Sequence, residues 1–154
     1  MVKKRYKYKL DGFSLFEILV TMAILMMLSF LVFPVTIQKA QETKLEGYAS
    51  QIVTDIYYQQ QRAFQKNLKG GVALGVNTYT LFDGESLATA TETDLKKYPS
   101  NIRIASISLS GTNEIVFQNG EFKPLSYGYF EINDSMNYIR VYINGEGLIW
   151  YEKI

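Results

Sequence analysis

The chain has no histidine and no cysteine in 154 residues, and only three prolines and one tryptophan. The missing histidine removes the commonest general base, the commonest metal ligand and any histidine-based catalytic triad. The missing cysteine removes disulfides and thiolate metal sites, and leaves the redox compartment unread. These absences disfavour an enzyme, and no cofactor or metal is implied. A strong charge of one sign is lacking too, since the formal net charge is +1. That balance is uneven. Residues 1–12 hold five basic groups (Lys3, Lys4, Arg5, Lys7, Lys9) and one acid, Asp11. The other 142 residues hold 11 basic and 14 acidic groups, a net of −3, so they carry no overall basic excess of the kind nucleic-acid binding needs.

What is present in quantity is apolar sequence, and it is concentrated. From Phe13 to Ile37 the 25 residues contain one charge, Glu17, and from Ile18 to Ile37 there are 20 uncharged residues in a row. As a helix that run would be about 30 Å long, the thickness of a bilayer core. The basic flank before it predicts an N-terminus facing the cytoplasm and the remainder outside. A cleaved secretory signal has a core of about 7–15 residues and a small-residue cleavage site. This run is longer, and it continues into "FPVTIQKAQE" with no such site.

Beyond residue 37 the helical period continues with one apolar face. Tyr48, Ala49, Ile52, Val53, Ile56, Tyr57, Ala63 and Phe64 follow Leu45 at spacings of 3, 4, 7, 8, 11, 12, 18 and 19. Gly70-Gly71 predicts a stop near residues 67–69. A continuous helix from residue 13 would be about 80 Å long, so its front half should protrude. Pro34 interrupts the apolar half and predicts a kink there, since a helical proline deletes a hydrogen bond and crowds the preceding turn.

After Gly71 the period becomes two. Strands are expected in 78–84, 102–109, 114–125, 127–133, 137–145 and 147–152. Asn119-Gly120 reads as a two-residue hairpin turn, and Asn144-Gly145 begins a slightly longer one. "TETDLKKYP" (91–99) reads as a short helix ended by Pro99. The expected fold class is α+β. A long N-terminal helix, membrane-spanning in its first half and amphipathic in its second, packs on a C-terminal antiparallel β-sheet.

Glu17 calls for a reason, because a charge within a membrane helix costs about 2.5–3.5 kcal/mol at the centre and less near an end. "GFSLFE" at 12–17, after a short basic leader and before about 20 apolar residues, resembles the type IV pilin and pseudopilin family. The resemblance implies three regions: 1–12, a basic leader that is cleaved; 13–37, an apolar transmembrane or filament-core helix; and 38–154, an extracytoplasmic α+β globular domain. It implies that Gly12 precedes the bond cut by a prepilin peptidase, glycine offering no side chain to obstruct the protease. Phe13 becomes the new N-terminal residue and is methylated on its amine. Glu17 is the family's assembly glutamate. It lies four residues from Phe13, where it can offset its own amine and the positive helix end, and in filaments it pairs with the N-terminal amine of a neighbouring subunit. Pro34 matches a proline common in pilins.

The function implied is that of a minor pilin or pseudopilin, a subunit of a type IV pilus, type II secretion pseudopilus or competence pilus. Its partners would be the prepilin peptidase, other pilins, the membrane, and an assembly platform with its ATPase. The chain would start as a single-pass precursor in the cytoplasmic membrane and end in an extracytoplasmic filament. Two departures stand out. The stretch 13–37 has no glycine to loosen the helix, and the absence of cysteine excludes the disulfide-closed loop of many major pilins. The strand-rich tail, with "NTYTLFDGE" and "YIRVYINGEGLIWYE", is more like the H-type minor pseudopilins of type II secretion or their pilus and competence counterparts. The competing expectation is a non-assembling, single-pass anchored binding domain outside the cytoplasm, and cleavage after Gly12 separates the two. DNA capture would need Lys96, Lys97, Arg103, Lys123 and Arg140 on one face; otherwise they are solvated charges. "IYYQQQR" (56–62) reads as a solvated helix face.

Overall fold

The computed structural model describes residues 13–154, with the side chains of 31–38 outside the description. The chain divides into two compact units, Met1–Ala40 and Gln41–Ile154. Helix α1 is Leu15–Lys66. It ends because Asn67 adopts φ 53, a left-handed turn that asparagine tolerates and that terminates helices. Lys66 in the last turn suits the negative end of the helix dipole.

Eight strands follow: β1 Gly70–Leu74, β2 Thr78–Asp83, β3 Glu92–Lys97, β4 Arg103–Leu109, β5 Glu114–Phe117, β6 Gly128–Asn133, β7 Tyr138–Ile143 and β8 Ile149–Lys153. They form two antiparallel four-stranded sheets, ordered β3-β2-β1-β5 and β4-β6-β7-β8. In the second unit one core joins both sheets to the helix. Leu45, Ala49, Ile52, Ile56 and Ala63 of α1 are buried with Val72, Tyr79, Leu81, Ile115 and Phe117 of the first sheet. They are buried equally with Ile104, Phe130, Ile132, Ile139, Val141, Ile143 and Ile149 of the second. Each large aliphatic side chain so buried contributes about 1.5–3 kcal/mol, which makes this stripe the main fastening of the helix.

The structure corrects the expected fold in four places. Among the described residues, no helix is long and apolar enough to cross a membrane. The segment 39–66 of α1 is rich in charge. There are two sheets where one was expected. The short helix expected at 91–99 is β3, an edge strand paired to β2 from Thr78↔Lys97 to Asp83↔Glu92. The two-residue hairpin expected at Asn119-Gly120 is a wider loop: β5 stops at Phe117, and the only pairing across the loop is the bridge Phe117↔Pro124.

β4 carries a bulge. Ser106 and Ile107 sit opposite Phe130 alone, between the pairs Ala105↔Glu131 and Ser108↔Tyr129, and Ser106 takes φ 49. Such a bulge bends an edge strand and discourages further pairing along it.

Candidate functional site

In the first unit the described residues 13–30 are an apolar stretch, helical from Leu15, whose side chains face outward on every side. Phe13 is 79% exposed and Phe30 82%, and large apolar residues between them are exposed as well. A helix apolar all round is one that is buried by something. Its polar side chains are few: the hydroxyls of Ser14, Thr21 and Ser29, and the carboxylate of Glu17. The hydroxyls are satisfied within the helix. Thr21 Oγ1 donates to the Ile18 carbonyl at 2.9 Å, and Ser29 Oγ donates to the Leu25 carbonyl at 2.8 Å. Ser14 Oγ accepts the Phe16 N–H at 3.3 Å.

Ser14 is therefore the N-cap of α1. Its carbonyl accepts the first backbone hydrogen bonds of the helix, from the Glu17 N–H at 3.0 Å and the Ile18 N–H at 3.2 Å. Serine followed three residues later by glutamate is the pattern of a capping box, in which the glutamate would reach back to the cap's own N–H. Here neither half is made, since Ser14 Oγ takes the Phe16 N–H rather than that of Glu17, and the Glu17 carboxylate has no partner among the described residues. It stands in the first turn, where the positive end of the helix dipole favours a negative charge.

The expected site residues thus fall as follows. Gly12 and the leader 1–12 lie outside the described residues. Phe13 is exposed and precedes the helix, and Glu17 lies in the first turn. Pro34 lies within the bounds of α1, but the kink expected there falls among side chains outside the description. The cap at Ser14 was not expected from the sequence, although its S-x-x-E signal lies inside "GFSLFE".

In the second unit the polar groups act as fasteners. The segment 56–62, expected to be a solvated face, is divided: Tyr58 and Gln61 are exposed, while Ile56, Gln59 and Gln60 are buried, the two glutamines only 2% and 3% exposed. Gln60 Nε2 donates to the Phe122 carbonyl at 2.8 Å and to the Gly147 carbonyl at 2.7 Å, tying two loops to the helix. The signal was present, because Gln60 falls four residues after Ile56 and three before Ala63, on the buried stripe. Tyr57 OH donates to the Ile149 carbonyl at 2.9 Å, and Tyr79 OH donates to Asp55 Oδ2 at 2.6 Å. Burial, reinforced by the bond to Asp55, pushes the Tyr79 phenol well above its ordinary range.

A cleft of about 290 Å³ lies beside this region, lined by Gln59, Arg62, Asp83 and Glu92 among others. Arg62 bridges Asp83 at 2.8 Å and Glu92 at 3.0 Å. Gln59 Oε1 and Arg62 Nε have no partner. They are shielded from solvent behind the ion pairs, so the cleft offers a helix-to-sheet clamp rather than an open donor set. Among the described residues no group of three metal-ligating side chains converges.

The cations considered for DNA capture are mostly engaged. Lys96 pairs with Asp94 at 2.7 Å, Lys123 with Glu146 at 2.7 Å, and Arg140 with Glu131 at 2.6 Å. The hydrogen bonds from Arg140 hold the Glu131 carboxyl below the ordinary range. Arg140 also lies over the Tyr129 ring, 4.6 Å from its centroid, beside the stacked pair Tyr142–Trp150. These residues form a ladder across β6, β7 and β8 whose groups satisfy one another.

No protein-family model matches the chain, and neither a curated protein nor a solved structure matches it.

Proposed function

We propose that the chain is a minor type IV pilin or pseudopilin, a structural subunit of an envelope filament and a substrate of a prepilin peptidase rather than an enzyme. One observation carries the reading: the apolar stretch 13–30 has a single polar side chain without an internal partner, and it is the carboxylate of Glu17. The filament would be a pilus, a secretion pseudopilus or a competence pilus.

The physical logic is direct. Apolar helices from neighbouring subunits bury the exposed surface by packing on one another. Inside such a bundle an unpaired carboxylate would cost several kcal/mol, so it demands a cation at a fixed height. Cleavage between Gly12 and Phe13 supplies one, the new amine of Phe13, and a neighbour's amine set against Glu17 fixes the axial register of an incoming subunit. The folded unit 41–154 then lies outside the cytoplasm, on the filament surface. Other pilins are the lateral partners, and an assembly platform with its ATPase drives addition.

The test is the intact mass of the native protein from cells with and without a prepilin peptidase. Loss of residues 1–12 plus one methyl group, only when the peptidase is present, supports the reading. An uncut chain in both cells removes it.

A further inference from the structure

We propose that the second unit carries a saccharide-binding cleft, built where the part of α1 that begins this unit meets the turn 99–102. A cavity of about 400 Å³ lies there, lined by Gln41, Lys44, Tyr48, Asn101, Ile102 and Asp134 among others. That volume is within the range of small-molecule sites. The proposal does not depend on cleavage or assembly, so it and the filament reading stand or fall separately.

The walls are fixed by bonds that leave the lining groups alone. The Ile102 N–H donates to the Pro99 carbonyl at 2.9 Å and closes the turn, and Asn77 Nδ2 donates to the Ile102 carbonyl at 2.6 Å. The Tyr98 and Tyr48 rings meet edge to face with centroids 5.3 Å apart, which steadies Tyr48. Asp134 Oδ1 accepts the Met136 and Asn137 N–H groups at 2.8 Å each, which sets the orientation of its carboxylate.

The polar groups inside these walls are uncommitted. At the other clefts of this unit the charges pair with one another: Arg62 with Asp83 and Glu92, Lys153 with Glu42 and Glu46. The side chains of Gln41, Lys44 and Asn101 make no hydrogen bond or ion pair among the described residues. Both amides donate and accept, Lys44 donates and Asp134 accepts. One cation and one anion balance, so the cleft does not select an ion of either sign. The Tyr48 ring and Ile102 add an apolar wall. A sugar matches both halves of this lining: each hydroxyl donates and accepts, and the C–H face of the ring can lie on an aromatic side chain. A second hollow of about 280 Å³ shares Asn101 and Asp134 with the first and adds Arg103 and Asn133, so consecutive units of an oligosaccharide can cross both.

The experiment titrates the full chain, isotope-labelled and held in a detergent without a sugar headgroup, with chitotriose and with trigalacturonate, and follows backbone amide shifts. The expected result is saturable shifts in residues 41–48 and 99–103 with a Kd of about 1–10 mM or tighter for at least one of the two. Lys44 and Asn101 are exposed, so Lys44→Ala and Asn101→Ala leave the fold intact. Each should weaken binding about 5-fold, the effect of one lost hydrogen bond. Lys123→Ala, at a residue paired with Glu146 outside the cleft, should leave it unchanged. No saturable shift from either sugar up to about 50 mM would overturn the proposal. Binding that both cleft variants leave intact would overturn it as well. So would inorganic phosphate giving the same shifts with the same affinity, because the cleft would then be an anion site.

Discussion

The phenolic oxygen of Tyr79 in β2 donates to the Asp55 carboxylate of α1 at 2.6 Å, and the Tyr79 ring is 1% exposed. This joins the helix to the first sheet, while Tyr57, bonded to Ile149 at 2.9 Å, joins it to the second. Tyr79→Phe keeps the packing but leaves a half-buried carboxylate without its donor. Unfolding of the second unit by urea should show a loss of about 1–3 kcal/mol. Adding Asp55→Asn should cost little more, since the two groups act as a pair. Fully additive losses would contradict that coupling.

Gln60 should behave as a core residue despite its polarity. Gln60→Ala removes two hydrogen bonds and strands the carbonyls of Phe122 and Gly147. A loss of about 2 kcal/mol is expected, with faster amide exchange in residues 118–127 and 144–148. A surface-like loss below about 0.5 kcal/mol would show that these loops hold without it.

Gly71 is needed for strand pairing. It faces Val116 in β5, and a Cβ there would collide with the Ile115 carbonyl oxygen. Gly71→Ala should destabilise by about 1–3 kcal/mol, the ordinary range for overpacking. An unchanged melting midpoint would mean that β5 can move aside.

The pH dependence follows from the carboxylates. At Asp134 burial raises the pKa, but hydrogen bonds from the Met136 and Asn137 N–H groups outweigh it and the net shift is downward. Glu131 is held low by Arg140. A folded-state pKa below the unfolded value of about 4 means that the stability is present above that value and is lost as pH falls through the folded values. The fragment 41–154 should fold by itself, melt at a constant temperature between about pH 5 and pH 9, and weaken progressively below about pH 4. Glu131→Gln should flatten part of that acid limb. An unfolded circular-dichroism spectrum for the fragment, or an identical acid limb in the variant, would count against this account.

The buried stripe was legible because its spacing is set by the helix itself: Leu45, Ala49, Ile52 and Ile56 share a face whatever they pack on. β3 was not. "ETDLKK" is exposed on both sides at a sheet edge, so it carries no alternation, and its charges imitate a helix. Asn119-Gly120 signals a turn, but the stacking of Phe122 on Phe64 and the missing N–H of Pro124 open the loop beyond a tight hairpin. The division into two sheets depends on which hairpins lie side by side, and no local window contains that. Gln59 and Gln60 look solvated until the carbonyls of Phe82, Phe122 and Gly147 arrive from distant positions. At the candidate site Glu17 stood out as a lone charge. Ser14 was hidden by reading "GFSLFE" as a cleavage signal alone, although the same letters also spell a helix cap.

The central claim is that the Glu17 carboxylate exists to pair with a neighbouring subunit, and incorporation into filaments tests it most directly. Glu17→Val and Glu17→Gln should be cleaved after Gly12 as wild type is, and should leave unit 41–154 with an unchanged melting curve. Immunoblots of sheared filament fractions should nonetheless show both variants depleted at least about 10-fold, the effect of roughly 1.4 kcal/mol in assembly free energy. Cleaved variants recovered in the sheared fraction at the wild-type level would contradict the claim.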